Sequence, residues 1–403
     1  MMTRTTGLLL LALLVFGGSL ARLKHPSIGR RAATPDAAAL VARERWVRDQ
    51  DIAFYAARAV RDPSGALDLA RLGGLYLQRH RETGSSSDLD RAENAGLRSA
   101  ANRGEHNPAA WQILVAARIA RHRFAEALAA VDRLMAFDPA NAGARAAKGE
   151  ILLELGRYPE ADLLFTGLTL RRADPNVAPR YARWLEIRGR AGRAGRLLEE
   201  ARLRAANDQA IPREQLAWFD LRLAELALKF EDHAQAVRWA DSGLTQVPDD
   251  ARLLSAKARA LLGLGRSSQA IALADSALGI RFDPTTLIVL AEGWERAGDT
   301  VRAGQYRRVL ASNLAADPAN VHRGWSLYLL DHGGNADSIA TIARNDLTAR
   351  RDIYGFDLYA WALYRAGRVA DAAKAMAMAR TAETQDPLLD RHAAAIAASL
   401  QKS

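Results

Sequence analysis

The chain has 403 residues, of which 49% are hydrophobic and 25% charged, which is typical of a packed protein and excludes a disordered one. It contains no cysteine, which excludes disulfides, thiol nucleophiles, thiolate metal sites and a lipoprotein-type anchor. The formal net charge is +10, but the basic residues are spread along the chain among Asp and Glu, and no clustered patch predicts nucleic-acid binding.

Residues 1–21 have the layout of a secretory signal peptide. An apolar run at 7–16 is followed by small residues at 19–21, which form a plausible cleavage point before Arg22. The run is shorter than the ~20 residues that span a bilayer. Basic residues follow at once and disfavour export, so an uncleaved membrane anchor through residues 7–20 is the alternative. We therefore expect a protein that is periplasmic, or anchored to the membrane and facing the periplasm.

Residues 22–63 combine a basic linker with a lead-in helix. The linker carries four basic residues between positions 22 and 31. Asp62 and Pro63 end the helix. The large apolar side chains predicted to pack on the unit that follows are Trp46, Ile52, Phe54, Tyr55 and Val60.

Residues 107–139 contain a two-helix unit. Trp111 and Leu114 have helical spacing, Ala127 lies on a second apolar face, and Pro139 closes the unit. One such helix pair cannot bury its apolar face alone, so neighbouring pairs must stack. The spacing resembles that of the tetratricopeptide repeat, whose period is about 34 residues.

The same spacing recurs through residues 64–387, which predicts an array of about nine repeats. The turn at 155–161, LGRYPEA, and the ninth repeat match the family pattern well, whereas the eighth, 321–351, is irregular. Residues 388–403 would form a capping helix over the last open edge. The resemblance implies an all-α fold, a right-handed α-α superhelix of stacked helical hairpins. We expect one elongated body without a sheet.

No motif for catalysis or metal binding is present in a suitable context. The eight histidines form no HExxH pair, and there is no GxSxG motif or phosphate-cradling loop. Gly189, Gly192 and Gly195 follow no strand and are interpreted as part of a helical turn. The sequence predicts no enzyme, no catalytic residue, no cofactor and no metal.

The function predicted from the resemblance is a non-catalytic scaffold for protein–protein interaction. Stacked repeats form an extended concave surface, which would bind a protein or peptide partner for assembly or adaptor work in the cell envelope. One alternative is an accessory subunit, or an enzyme with a site inside the groove. Another is nucleic-acid binding, which would require the arginines to line one groove. The partner and the oligomeric state do not follow from the sequence.

The candidate binding residues come from helix faces left over after packing. Aromatic and arginine side chains are enriched at binding hot spots. In the ninth repeat these residues lie opposite the family's packing positions, and those of the fifth and sixth repeats should face the same groove. The predicted protein-binding residues are Tyr354, Asp357, Trp361, Tyr364, Arg365, Trp218, Leu221, Glu225, Arg252 and Arg259. The alternative is that Trp361 and Tyr364 pack against the capping helix.

Overall fold

The computed structural model describes residues 36–208, 210–316 and 322–401. The predicted targeting segment, 1–21, lies outside the described residues. Within them the chain forms twenty α-helices and no strand, which confirms the predicted all-α superhelix class. The helices are α1 (Ala37–Arg61), α2 (Ala66–Thr83), α3 (Ser86–Asn102), α4 (Pro108–Ala120), α5 (Phe124–Phe137), α6 (Ala142–Glu154), α7 (Tyr158–Thr166), α8 (Ala178–Ile187), α9 (Ala191–Ala206), α10 (Arg213–Lys229), α11 (His233–Gln246), α12 (Ala251–Gly263), α13 (Ser267–Ile280), α14 (Pro284–Arg296), α15 (Thr300–Ala316), α16 (Arg323–Asp331), α17 (Ala336–Asp346), α18 (Ile353–Arg365), α19 (Val369–Ala379) and α20 (Pro387–Leu400).

Helices α2 to α19 pair in chain order, so the described residues contain nine hairpins between α1 and α20. The even-numbered helices from α2 to α18 are the first helices of the hairpins, and the odd-numbered helices from α3 to α19 are the second helices. Each hairpin packs against the next one along the chain. A continuous apolar core therefore follows the order of the sequence, as stacking of repeats requires.

Local sequence determines where these helices begin and turn. Short polar side chains cap several first helices: Asn141 accepts a hydrogen bond from the Ala144 amide, and Asp352 accepts one from Gly355. Two of the hairpin turns pass through Gly156 and Gly189, with φ of 72° and 66°. Residues other than glycine rarely adopt this left-handed backbone conformation, which ends a helix and reverses the chain.

A fully buried alanine recurs on the second helices, where each crosses its first helix. A methyl group at this position lets the two backbones approach closely, and larger side chains interdigitate around it. These alanines are Ala92, Ala127, Ala161, Ala194, Ala236, Ala270, Ala303 and Ala372.

We expect Ala161→Leu and Ala270→Leu each to lower the free energy of unfolding by ~1–3 kcal/mol, because added methylenes force strain into a packed core. Both alanines are fully buried. Ala272→Leu, on the exposed face of α13, is the matched control and should leave stability almost unchanged. Urea denaturation measures the difference, and equal effects at positions 270 and 272 would contradict the register of the hairpins.

Hairpins that are far apart in the sequence also touch. The hydroxyl of Tyr158 accepts a hydrogen bond of 2.8 Å from the Ile353 amide, and the hydroxyl of Thr384 donates to the Ile187 carbonyl. The turns of the third and fourth hairpins thus lie against the two ends of the ninth. The prediction of an elongated body did not include these contacts, since the repeat pattern describes only the packing of neighbours.

Helix α1 makes a second long-range contact. Val41 packs in one apolar cluster with Leu221 and Val247 of the fifth hairpin. Arg45 forms an ion pair of 2.6 Å with Asp249. The lead-in helix α1 therefore contacts both the first hairpin and the fifth hairpin of the array.

The predicted packing of α1 on the first hairpin is correct for only part of the helix. Ile52 and Tyr55 lie in the cluster formed with α2. Trp46, Phe54 and Val60 are 62%, 52% and 79% exposed, so their predicted burial is wrong. The helix has one apolar face towards α2, and these three side chains lie on the other side.

Candidate functional site

Six consecutive first helices, α8 to α18, surround a cavity of about 680 Å³. Helix α20 and the start of α11 complete its wall. We call this space the basic cavity. It is lined by Arg183, Glu186, Arg222, Glu225, Leu226, Leu228, Lys229, Glu231, His233, Arg259, Leu262, Gly263, Glu292, Arg296, Arg323, Arg350, Tyr354, Asp386, Leu388 and Arg391.

Positive charge dominates the lining. Seven arginines and one lysine face five carboxylates across the basic cavity. The cations come from helices or loops of five different hairpins and from α20, so each contributes to a field that no single helix produces. Clefts lined by an excess of one charge concentrate ligands of the opposite sign.

Buried carboxylates behind the lining hold several of these cations in place. Asp357 is fully buried and accepts from Arg323, while its other oxygen shares a hydrogen bond of 2.8 Å with His392. Arg350 lies 3.3 Å from Asp352. A guanidinium has five N–H donors, so an arginine anchored from behind keeps donors free for a ligand in front.

Tyr354 lies at the meeting point of three of the cations. Its hydroxyl accepts a hydrogen bond of 2.9 Å from Lys229, and its ring centre lies 4.8 Å and 5.0 Å from the guanidinium carbons of Arg183 and Arg323. Cations at such distances are attracted to an aromatic ring. The buried Tyr354 thus orders side chains from α8, α10 and α16 around one point.

The protonation of the cavity preserves its positive charge. Burial alone would lower the pKa of the Arg323 guanidinium, but the charge and hydrogen bond of Asp357, together with the charge of Asp386 and Tyr354, outweigh burial and raise the pKa, so Arg323 stays protonated. Burial raises the pKa of the Glu292 carboxyl, although Arg296 and Arg259 oppose this. One of the five carboxylates therefore loses its charge more readily than an exposed one.

The structure brings three of the ten predicted binding residues together in the basic cavity: Tyr354, Glu225 and Arg259. Arg259 is exposed, and no ion pair or hydrogen bond engages its guanidinium within the described residues. Asp357 does not line the cavity but positions Arg323, which does.

Two further predicted residues of the ninth hairpin, Trp361 and Tyr364, lie beside α20. The ring of Trp361 stacks on that of His392 with centres 4.1 Å apart, and the hydroxyl of Tyr364 lies 3.2 Å from Ser399. Arg365 pairs with Asp331 at 3.1 Å. The two aromatic residues thus make the contacts of the structural alternative, packing on the capping helix.

The remaining three predicted residues do not reach the basic cavity. Leu221 is buried in the core cluster that includes α1, and Trp218 packs half-buried against the cluster of the fourth hairpin. Arg252 pairs with Asp250 at 2.7 Å and with Glu214 at 3.4 Å.

Several cavity residues were missed because the first helices were aligned on their packing positions and not on their turns. Arg183, Glu225, Arg259 and Glu292 each lie six residues before the left-handed residue that follows their helix. Counting back from that residue would have placed all four on one face. The sequence prediction included Glu225 and Arg259 but not Arg183 or Glu292.

In the ranges 36–208, 210–316 and 322–401, no three His, Asp or Glu side chains converge as metal ligands would. None of the helices in those ranges is both long enough and apolar enough to cross a bilayer.

Comparison with known proteins supports the repeat assignment. A family model described as tetratricopeptide repeat matches residues 118–183. No curated protein matches the chain. The predicted resemblance to the tetratricopeptide repeat family is confirmed.

Solved structures with a similar fold have low sequence identity. PilW, a widely conserved type IV pilus biogenesis factor, is 16% identical over 52% of this chain and 95% of its own, with a TM-score of 0.43. A tetratricopeptide repeat protein from Parabacteroides merdae is 12% identical over 59% and 91%, with a TM-score of 0.39. A human IFIT1 dimer with m7Gppp-AAAA is 13% identical over 77% and 80%, with a TM-score of 0.44.

Proposed function

We propose that this chain is a non-catalytic interaction scaffold that holds an acidic segment of a partner protein in the basic cavity. The proposal rests mainly on the eight cations that converge on one space, six of them from the consecutive first helices α8 to α16, one from the loop before α18 and one from α20. Its volume of about 680 Å³ falls within the ~300–1,000 Å³ range of ligand-binding cavities.

A peptide fits this lining better than a nucleic acid does. The five carboxylates among the cations would repel a continuous phosphate backbone, whereas a peptide offers amide N–H groups that can pair with them. Tyr354 is only 6% exposed and has no free ring face on which a base could stack. The lining therefore favours a peptide ligand that offers both N–H donors and carboxylates.

Charge reversal at Arg259 tests the proposal. We expect Arg259→Glu to weaken binding of a fluorescein-labelled oligo-glutamate peptide by about tenfold or more, because it replaces an attraction by a repulsion inside the cavity. Fluorescence anisotropy with the full chain measures the affinity. Since Arg259 has no ion pair in the described residues, the change should leave the fold intact.

Arg308→Glu is the matched control, since Arg308 is an exposed arginine on α15 that does not line the basic cavity. It changes the net charge equally and should alter the affinity by less than about twofold. Equal losses in both variants would indicate general electrostatic attraction, and no measurable binding by the unaltered chain would refute the proposal.

We also propose that the scaffold works in the cell envelope. The support is the signal-peptide layout of residues 1–21. Sequencing the N-terminus of protein purified from the native envelope should find Arg22 as the first residue. Recovery of an envelope protein that retains Met1 would favour the membrane anchor, and recovery only from the cytosol would refute export.

A further inference from the structure

The third and fourth hairpins leave a second concave site on another part of the molecule. Helix α7 has 9 residues, whereas the second helices α5 and α9 have 14 and 16. The chain leaves α7 at Gly167 and forms a 3-10 turn at Thr169–Arg171. A notch of about 590 Å³ opens between this turn, α8 and α9. We call it the arginine notch.

Four arginines line the arginine notch: Arg172 next to the 3-10 turn, and Arg190, Arg193 and Arg196 at the start of α9. Within the described residues, the guanidiniums of the last three form no hydrogen bond or ion pair. This differs from the basic cavity, where most arginines are held by carboxylates.

A single carboxylate, Glu200, lines the arginine notch, and Arg204 already engages it at 2.7 Å. The four arginines therefore repel one another, and one carboxylate that is already engaged offsets only part of this repulsion. An anionic ligand would relieve this repulsion and could accept paired N–H donors from each guanidinium.

Apolar groups accompany the charges. Leu185 and the rings of Tyr181 and Trp184 form part of the floor of the arginine notch, and all three side chains are buried. Leu170 lies on the 3-10 turn next to the lining residue Thr169 and is 99% exposed. Because the two rings are buried, their faces are not free to stack on nucleic-acid bases. Arginines around an apolar floor are typical of the centre of a protein–protein interface.

We propose that the arginine notch binds a second acidic segment of a partner protein, one in which carboxylates flank a single apolar side chain. The carboxylates pair with Arg190, Arg193 and Arg196, and the apolar side chain contacts the floor and Leu170. This site does not share a lining residue with the basic cavity, so the two proposals stand on separate observations.

The probe is a fluorescein-labelled peptide with two glutamates on each side of one leucine, measured by fluorescence anisotropy on the full chain. The variant Arg193→Glu/Arg196→Glu should weaken binding by at least about tenfold. The control, Arg98→Glu/Arg308→Glu, reverses two exposed arginines that have no ion pair in the described residues, and should weaken it by less than about threefold. Replacing the peptide's leucine by serine should also weaken binding about tenfold.

Equal losses in the notch variant and the control would overturn the proposal, since the attraction would then be non-specific. A comparable loss from Arg259→Glu would place the peptide in the basic cavity instead. An oligonucleotide that displaces the peptide, combined with no effect of the leucine replacement, would assign the notch to nucleic acid. If thermal melting shows that the charge reversal unfolds the chain, Arg193→Gln/Arg196→Gln replaces it, with weakened binding expected and unchanged binding contradicting the site.

Discussion

Gly156→Ala is expected to destabilise the chain by ~2–4 kcal/mol, more than the same change in a turn where the added Cβ would meet no other atom. Two effects add. A side chain in the left-handed conformation costs ~1–2 kcal/mol, and a Cβ at this position would lie only 2.3 Å from the Arg351 carbonyl oxygen, so the third hairpin must move away from the ninth. Gly189→Ala should behave in the same way, because its Cβ would lie 2.6 Å from the Glu383 carbonyl oxygen.

Gly265→Ala separates the two effects. Gly265 has a similar φ of 75°, but a Cβ there would meet no atom within 4 Å. It should therefore show only the backbone cost of ~1–2 kcal/mol. Urea denaturation measures the stabilities of the variants at positions 156, 189 and 265. Small-angle scattering should show a larger radius of gyration for Gly156→Ala and an unchanged one for Gly265→Ala. If all three variants lost the same stability with unchanged dimensions, distant hairpins would not be in contact.

Asp357→Ala is expected to lower the free energy of unfolding by roughly 3 kcal/mol, because it leaves the charge of Arg323 without its buried partner. Asp357 is fully buried between Arg323 and His392. Asp371→Ala is the control: Asp371 pairs with Arg368 on the surface and should contribute little. Thermal or urea denaturation of the three proteins measures the contrast, and equal stabilities would contradict the role of the buried carboxylate.

The effect of Asp357→Ala should depend on pH. Burial alone would raise the pKa of Asp357, but Arg323 and the hydrogen bond from His392 outweigh it and lower the pKa. The stabilisation is therefore complete above the ordinary carboxyl range, about pH 4, and is lost as the pH falls through the lowered value. The stability curves of the wild type and the variant should converge in acid, and a difference that stays constant down to the acid limb would refute the pairing.

Which parts of the fold could be predicted depends on how far apart the interacting residues are. The hairpins follow from residues a few positions apart, such as Ala161 and the turn glycine Gly156, and those patterns are visible in the sequence. The contact of Tyr158 with Ile353 joins residues 195 positions apart and has no local pattern. The same is true of α1, whose Val41 packs against the fifth hairpin.

The candidate site was predictable to a similar degree. The sequence prediction placed Tyr354, Glu225 and Arg259 on a shared groove, and in the structure all three line the basic cavity, because the helical period determines which side of a first helix they occupy. The sequence did not decide whether Trp361 packs against α20 or faces a partner, since its stacking on His392 depends on how the capping helix docks. The arginine notch depends on where α7 ends, which no repeat pattern predicts.

The basic cavity is tested most directly by photo-cross-linking an oligo-glutamate peptide that carries a benzophenone group to the full chain, followed by mass spectrometry of the cross-linked fragments. We predict that the cross-links fall on the first helices α10, α12, α14 and α16, around Arg222, Arg259, Arg296 and Arg323. Arg259→Glu should remove them, and Arg308→Glu should not. Cross-links confined to second helices such as α15, or spread evenly over the surface, would contradict binding in the cavity.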